Sequence, residues 1–190
     1  MNLIASGDRS RADRLALPLG DGGATPTSPL HLNVERIDVH TACRLNGEWH
    51  SRLPFIHWSN VVRNRHSACY GARFDGDLHA VAIWSSPVAA NRLTDGKQLL
   101  ELRRFAIAQS APANTGSRML AVMRKLLRKE FPELIRLISY QDTEVHRGTI
   151  YKAAGWSLIT TNTGVSWSNS KRKRNKEQSI APKARWEIDL

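Results

Sequence analysis

The strongest constraint on this chain lies between residues 115 and 132. Met119, Leu120, Met123, Leu126, Leu127 and Phe131 recur at helical spacing, Arg124, Lys125, Arg128 and Lys129 take the opposite face, and Pro132 ends the run. Strand-like apolar runs flank it, Gln98 to Ala108 before and Leu134 to Tyr140 after. A short helix from Val145 to Ala154, closed by Gly155, and a strand from Trp156 to Thr161 follow. Upstream, Leu32, Val34 and Ile37 predict a first strand, and a helical stretch from His40 to Arg52 is stopped by Pro54. Ser67 to Phe74 and Leu78 to Ser85 read as a hairpin joined by Asp75-Gly76-Asp77. Strand pairs followed by β-α-β-α-β predict a mixed α/β sheet with helices on its faces.

At 190 residues the chain suffices for one domain with a sizeable core and some excess. Residues 1–30 are rich in Gly, Ser, Pro, Asp and Arg without apolar period, and read as a flexible leader. Residues 31–165 form the predicted catalytic domain, and 166–190 a basic C-terminal tail. No apolar run approaches the ~20 residues that span a bilayer. Asp8 and Arg9, with no apolar stretch around them, argue against a secretory signal. Cys43 and Cys69 stand alone, without CxxC spacing, which fits a reducing cytoplasm better than a disulfide framework or structural zinc.

The formal net charge is +11, which predicts an anionic partner, most often nucleic acid. Between residues 166 and 185 seven basic residues face Glu177 alone, a local +6, leaving +5 for the rest. Lys171, Arg172, Lys173 and Arg174 head this run, which reads equally as a solvated tail or a phosphate-contacting arm. No HxE…CxxC or HExxH pattern is present, so zinc deaminases and proteases are excluded and no metal ligands are assigned. GxxxxGK[ST] is also absent.

The segment from Glu101 to Trp156, ending in Tyr151-Lys152-Ala153-Ala154-Gly155-Trp156, resembles the core of the GNAT acyltransferase superfamily. The resemblance implies a GNAT-like mixed central β-sheet flanked by helices. It also implies that Tyr151 is a general acid on a departing coenzyme A thiolate. The family's diphosphate loop, with its spaced glycines, corresponds to Gln109 through Arg118. Here only Gly116 is available, and Pro112 removes an N–H donor. Asn114, Gly116, Ser117 and Arg118 are the candidate cofactor-binding residues, with Asn114 or Ser117 also suited to cap the helix.

A narrower resemblance is to the Mom-type phage proteins, a divergent GNAT-fold group that modifies adenine in DNA to an N6-carbamoylmethyl form. It is carried by Trp49-His50-Ser51-Arg52-Leu53-Pro54, Glu101-Leu102-Arg103-Arg104, Ala111-Pro112-x-Asn114-x-x-Ser117, Ile138 to Asp142 and Gly148 to Trp156. It implies action on DNA adenine in a bacterial host cytoplasm, with acetyl-CoA or another acyl or aminoacyl donor. On this basis Asp142, Tyr151, Arg104 and His50 are the candidate catalytic residues. Asp142 is suited to accept a proton from the attacking amine, and His50 titrates naturally near neutrality. Arg52 and Arg103 join the four tail residues as candidate nucleic-acid contacts. Arg103 and Arg104 are expected on opposite faces of their strand, Arg104 toward the site. Glu101 and Arg103 then share a face and suit an ion pair. Trp49, Trp58 and Trp84 are candidates to stack an extruded base, their alternative being core.

Three functions fit these residues. One is a transferase modifying DNA adenine. The others are an acyl-CoA-dependent N-acyltransferase acting on a small-molecule or protein amine, and a non-catalytic nucleic-acid-binding protein on the same scaffold.

Overall fold

The computed structural model describes residues 24–50, 55–88, 98–163 and 181–190. Ser28 opens a 3₁₀ turn at Pro29–His31 by accepting the Leu30 N–H, and the chain enters β1 (Asn33–Arg36). Helix α1 (Val39–Trp49) starts where Asp38 accepts the Thr41 N–H at 2.9 Å. A single turn, α2 (Ser59–Val62), precedes the hairpin of β2 (Ser67–Phe74) and β3 (Asp77–Ser85). Its two central residues, Asp75 and Gly76, have φ of 47° and 87°, the doubly left-handed type I′ turn that matches strand twist. Strand β4 (Leu99–Ile107), helix α3 (Thr115–Glu130), β5 (Arg136–Asp142), α4 (Thr149–Ala153), β6 (Ser157–Asn162) and β7 (Lys183–Asp189) complete the fold.

The seven strands form one sheet in the order β1-β2-β3-β4-β5-β7-β6. Every neighbouring pair is antiparallel except β4 and β5, which α3 joins as a parallel crossover. The predicted apolar stripe of α3 is the stripe it buries: Met119, Leu120, Met123 and Leu127 pack with Trp84, Leu100, Leu102 and Leu137. Helix α1 covers the other face, placing Ala42 and Cys43 with Cys69 and Ile83, and Leu45 with Val81 and Ala106. No described helix is long and apolar enough to cross a membrane. Both cysteines are buried free thiols.

Three expectations are corrected. Residues 166–190 are not all tail: β7 lies inside the sheet, between β5 and β6. The alternation of Ala184 and Trp186 toward the core marks it as a strand, and the basic run before it masked that signal. Lys171 to Arg174, Arg52 and residues 1–23 of the leader lie outside the described residues. The helix expected over Val145 to Ala154 is only Thr149–Ala153, because Gly148 sits at φ 72° and cannot continue a right-handed helix backwards. Finally, Asn114 occupies the cap position of α3 at φ 66° but makes no capping bond. Ser117 instead donates to the Asn114 carbonyl, 3.1 Å.

Candidate active site in the cleft between two half-sheets

The parallel ladder between β4 and β5 stops early. It runs from Leu99↔Arg136 to Leu102↔Ser139, although the strands continue to Ile107 and Asp142. Past that point β4 stays paired to β3 as far as Ile107↔Ala80, and β5 to β7 as far as Asp142↔Lys183. The sheet therefore splits into two halves beyond the ends of the parallel pairing, where α/β folds gather ligands. A cavity of about 550 Å³ fills the split, lined by Glu101 to Ile107, Ser139 to Asp142, Val145 to Tyr151, Trp49, His50 and Lys183. All four candidate catalytic residues line it, from four different elements.

The β4 wall is cationic. Trp84 pairs with Leu102 and Ile83 with Arg104, so Arg103 is the extra residue of a β-bulge. This corrects the expectation of opposite faces. Ile83 packs on the α1 side and so, two residues on, does Ser85; Arg104 faces Ile83, while Arg103 donates to Ser85 Oγ at 2.9 Å. Both guanidiniums thus lie on one side, and burial lowers the pKa of each, Arg104 to about 10 with Arg103 adding repulsion. The expected Glu101–Arg103 ion pair is present at 4.0 Å. His50, at the C-terminal cap of α1, is held below its ordinary pKa by burial, then by Arg104 and His146. Its imidazole is neutral at pH 7 and able to accept a proton.

The opposite wall handles protons. Asp142, the last residue of β5, accepts from Lys183 Nζ at 2.6 Å and from the Glu144 N–H at 3.1 Å. Tyr151 is buried on α4, with its hydroxyl 2.8 Å from Ser139 Oγ. Burial raises its pKa, against the opposing effect of the Ser139 bond, so the phenol remains a proton donor. Its ring stacks on Trp186 at 5.3 Å and 12°, and meets the Trp156 ring edge-on at 5.6 Å. Gln141 fixes this arrangement by accepting from Trp186 Nε1 at 2.7 Å and donating to the His146 carbonyl. Gly148 closes over the pair, where a Cβ would sit 2.4 Å from Trp186 Cζ2.

The four candidate cofactor residues lie apart from this lining. Gly116 at the start of α3 abuts the cavity from outside: a Cβ there would meet Ile150 at 3.0 Å and Ile107 at 3.1 Å. Its lack of a side chain serves packing rather than the approach of an anion. Arg118 reaches the Leu32 carbonyl, 3.5 Å, on the far side of the sheet's edge. With Pro112 lacking an N–H, the residues present do not build a glycine-spaced diphosphate cradle. Among the aromatic candidates only Trp49 lines the cleft. Trp84 is wholly buried, donating to Met123 Sδ at 3.2 Å, which removes it as a stacking platform. Trp58 lines a separate recess outside α1. Among the described residues no cluster of His, Cys, Asp and Glu could hold a metal ion. Sequence reading missed Ser139, Gln141, Trp186 and the site role of Lys183; the alternation within β7 was the only available signal for the last two.

A mixed sheet split at its parallel pair, with helices on both faces and a cleft at the split, defines the GNAT-fold transferases. Solved structures share it at low identity. An aminoglycoside acetyltransferase crystallised with coenzyme A matches at TM-score 0.57 and 13% identity, over 83% of this chain and 94% of that one. Spermidine N-acetyltransferase from Vibrio cholerae, with CoA and spermine, gives 0.56 and 10%, over 84% and 96%. An IAA acetyltransferase from Bacillus cereus gives 0.53 and 11%, over 84% and 99%. No curated protein matches the sequence. The chain belongs to the Mom protein family, whose model matches residues 31–188.

Proposed function

We propose that this protein modifies the N6 amino group of adenine in DNA, transferring a small acyl- or aminoacyl-derived group of the carbamoylmethyl type. The observation that carries the reading is the pairing of two walls in one cleft: a proton-handling wall of Asp142, Tyr151 and Ser139, and a wall of cationic Arg103 and Arg104 beside neutral His50. Family membership supports adenine as acceptor.

An exocyclic amine conjugated to a purine is a poor nucleophile and must shed a proton as its new bond forms. Asp142 is the proposed acceptor of that proton, held at the strand end by Lys183 and the Glu144 N–H. Neutral His50 is the second acceptor within the same cavity. The Tyr151 hydroxyl, steered by Ser139, protonates the departing group. Positively charged Arg104 balances charge that develops on the donor. An adenine in duplex DNA must leave the stack to enter such a cleft. The basic run Lys171 to Arg174 is assigned to backbone contact, which carries little sequence information.

Mass spectrometry of nucleosides from cells expressing the protein tests this directly. A modified deoxyadenosine is expected, and an unchanged profile alongside abundant folded protein would sink the proposal. The second reading, N-acylation of a small-molecule or protein amine from acyl-CoA, is favoured by neighbours crystallised with coenzyme A. It requires acetyl-CoA to raise the melting temperature. The missing diphosphate cradle argues against that outcome, and no step is routed through coenzyme A.

A further inference from the structure

We propose that the β4 bulge builds a phosphate-binding site from Arg103 and Arg104 in the cleft. A regular strand would send one of these side chains to each face of the sheet. The extra residue at Arg103 puts both on the α1 side, inside the same cavity. Two adjacent cations in a partly dehydrated cleft repel, and the single carboxylate beside them among the described residues, Glu101, stands 4.0 Å from Arg103 and cannot balance both.

Their existing bonds leave much of that charge unanswered. Arg103 donates to Ser85 Oγ and stands 4.0 Å from Glu101. Arg104 donates from Nη1 to the Arg103 carbonyl, a neutral acceptor, at 2.7 Å. Its buried Nε meets no acceptor, and among the described residues no carboxylate lies in ion-pair range of it. Each guanidinium has five N–H donors in a planar fork that matches two phosphoryl oxygens. His50 beside them is neutral and adds no further positive charge, and the carboxylate in the same lining, Glu101, is already engaged with Arg103. Burial and mutual repulsion, which make Arg104 easier to deprotonate than an exposed arginine, are relieved when an anion binds.

The ligand is therefore a phosphoryl group. Two sources carry that chemistry: the backbone phosphate beside the adenosine, or a phosphate on the donor. The first source rests on the function proposed above; the site itself does not.

The test uses the full-length protein and the variants R104Q and R103Q/R104Q. Inorganic phosphate and pyrophosphate are titrated in thermal denaturation, and a duplex with a single A·T pair in fluorescence anisotropy across a salt series. At least one probe is expected to bind, with a loss of roughly 10- to 100-fold in the double variant. With a DNA phosphate as source, the salt slope shrinks by ~0.9 for each phosphate no longer neutralised. A methylphosphonate beside the adenosine then reproduces the loss without adding to it. With a donor phosphate as source, pyrophosphate stabilisation disappears while DNA binding persists. Unchanged binding of every probe overturns the proposal, even where modified adenine is detected. Loss of pyrophosphate binding in a protein that never modifies adenine keeps the site and removes the DNA reading. R104M separates a structural role: its melting temperature should match or exceed wild type. A fall of more than about 4 °C would make the guanidinium structural and overturn the assignment.

Discussion

Gly148→Ala is the most informative single substitution in the cleft. Gly148 has φ 72°, a conformation that costs an L residue roughly 1–2 kcal/mol. Its added Cβ would lie 2.4 Å from Trp186 Cζ2 and 2.8 Å from Gln141 Oε1, both inside contact distance. The indole is stacked on Tyr151 and bonded to Gln141, so it has no free direction in which to retreat. Overpacking of this kind adds about 1–3 kcal/mol, for a total of about 2–5 kcal/mol. Gly155→Ala is the control, because Gly155 has φ 78° but nothing within 4 Å of its Cβ position. Denaturant unfolding of both variants should separate backbone strain from collision, with Gly148→Ala the less stable by at least about 1 kcal/mol. Its tryptophan fluorescence should change as the Trp186–Tyr151 stack is disturbed, and that of the control should not. Equal destabilisation of the two variants would refute the packing argument.

Tyr151→Phe should keep the ring stack and shift stability by about 1 kcal/mol, while cutting turnover by roughly 10²-fold or more; equal activity would remove the acid role. His50 has a folded pKa below its unfolded value, so its contribution to stability is intact above about pH 6.5 and is lost as pH falls through the lowered value. Stability should therefore decline below pH 6.5, and the decline should be smaller in His50→Gln, as read by unfolding across pH. Asp142→Asn should abolish modification with little change in melting temperature, since Lys183 keeps a neutral acceptor; wild-type activity would dismiss Asp142 as the base. Replacing Lys171 to Arg174 with glutamine should weaken duplex binding and flatten its salt dependence without changing which base is modified.

Most of the architecture was legible because α3 and the β2–β3 hairpin obey simple periods. The stripe from Met119 to Leu127 and the Asp75-Gly76 turn each fix an element with no help from the rest of the chain. The candidate site was legible only as a set of residue types. His50, Arg104, Asp142 and Tyr151 do converge, yet the positions that converge them break the local rules. The bulge at Arg103 defeats two-residue alternation, and the left-handed Gly148 shortens a helix that spacing alone extends to Val145. The strand carrying Trp186 and Lys183 hid behind a basic run whose composition dominated the reading. Local rules tend to fail where a fold is bent toward function, and these three failures border the cleft, whereas the missing Asn114 cap lies apart from it.

The placement of charge follows from the same geometry. Composition counted Lys183 in the basic run that reads equally as solvated tail or phosphate-contacting arm, but β7 pairs it with Asp142 inside the cleft, where it holds a carboxylate in place. Conversely, the cations best placed to meet an anion are two strand residues that composition never distinguished from any other arginines. The cleft therefore has a donor-rich end at Arg103 and Arg104 and a proton-accepting end at Asp142, in one cavity of about 550 Å³. A ligand that uses both ends must carry an anion and a nitrogen with an N–H to lose, held apart by a flat or compact body. A purine nucleotide has that polarity: in the proposed site its phosphate would meet the arginines and its exocyclic amine the carboxylate. A simple alkylamine lacks the anion and leaves Arg104 without one, Glu101 being paired to Arg103. A free acidic metabolite without a nitrogen to deprotonate leaves Asp142 without a task. That two-ended demand, more than net charge, is what supports the proposed nucleotide acceptor over a simple amine.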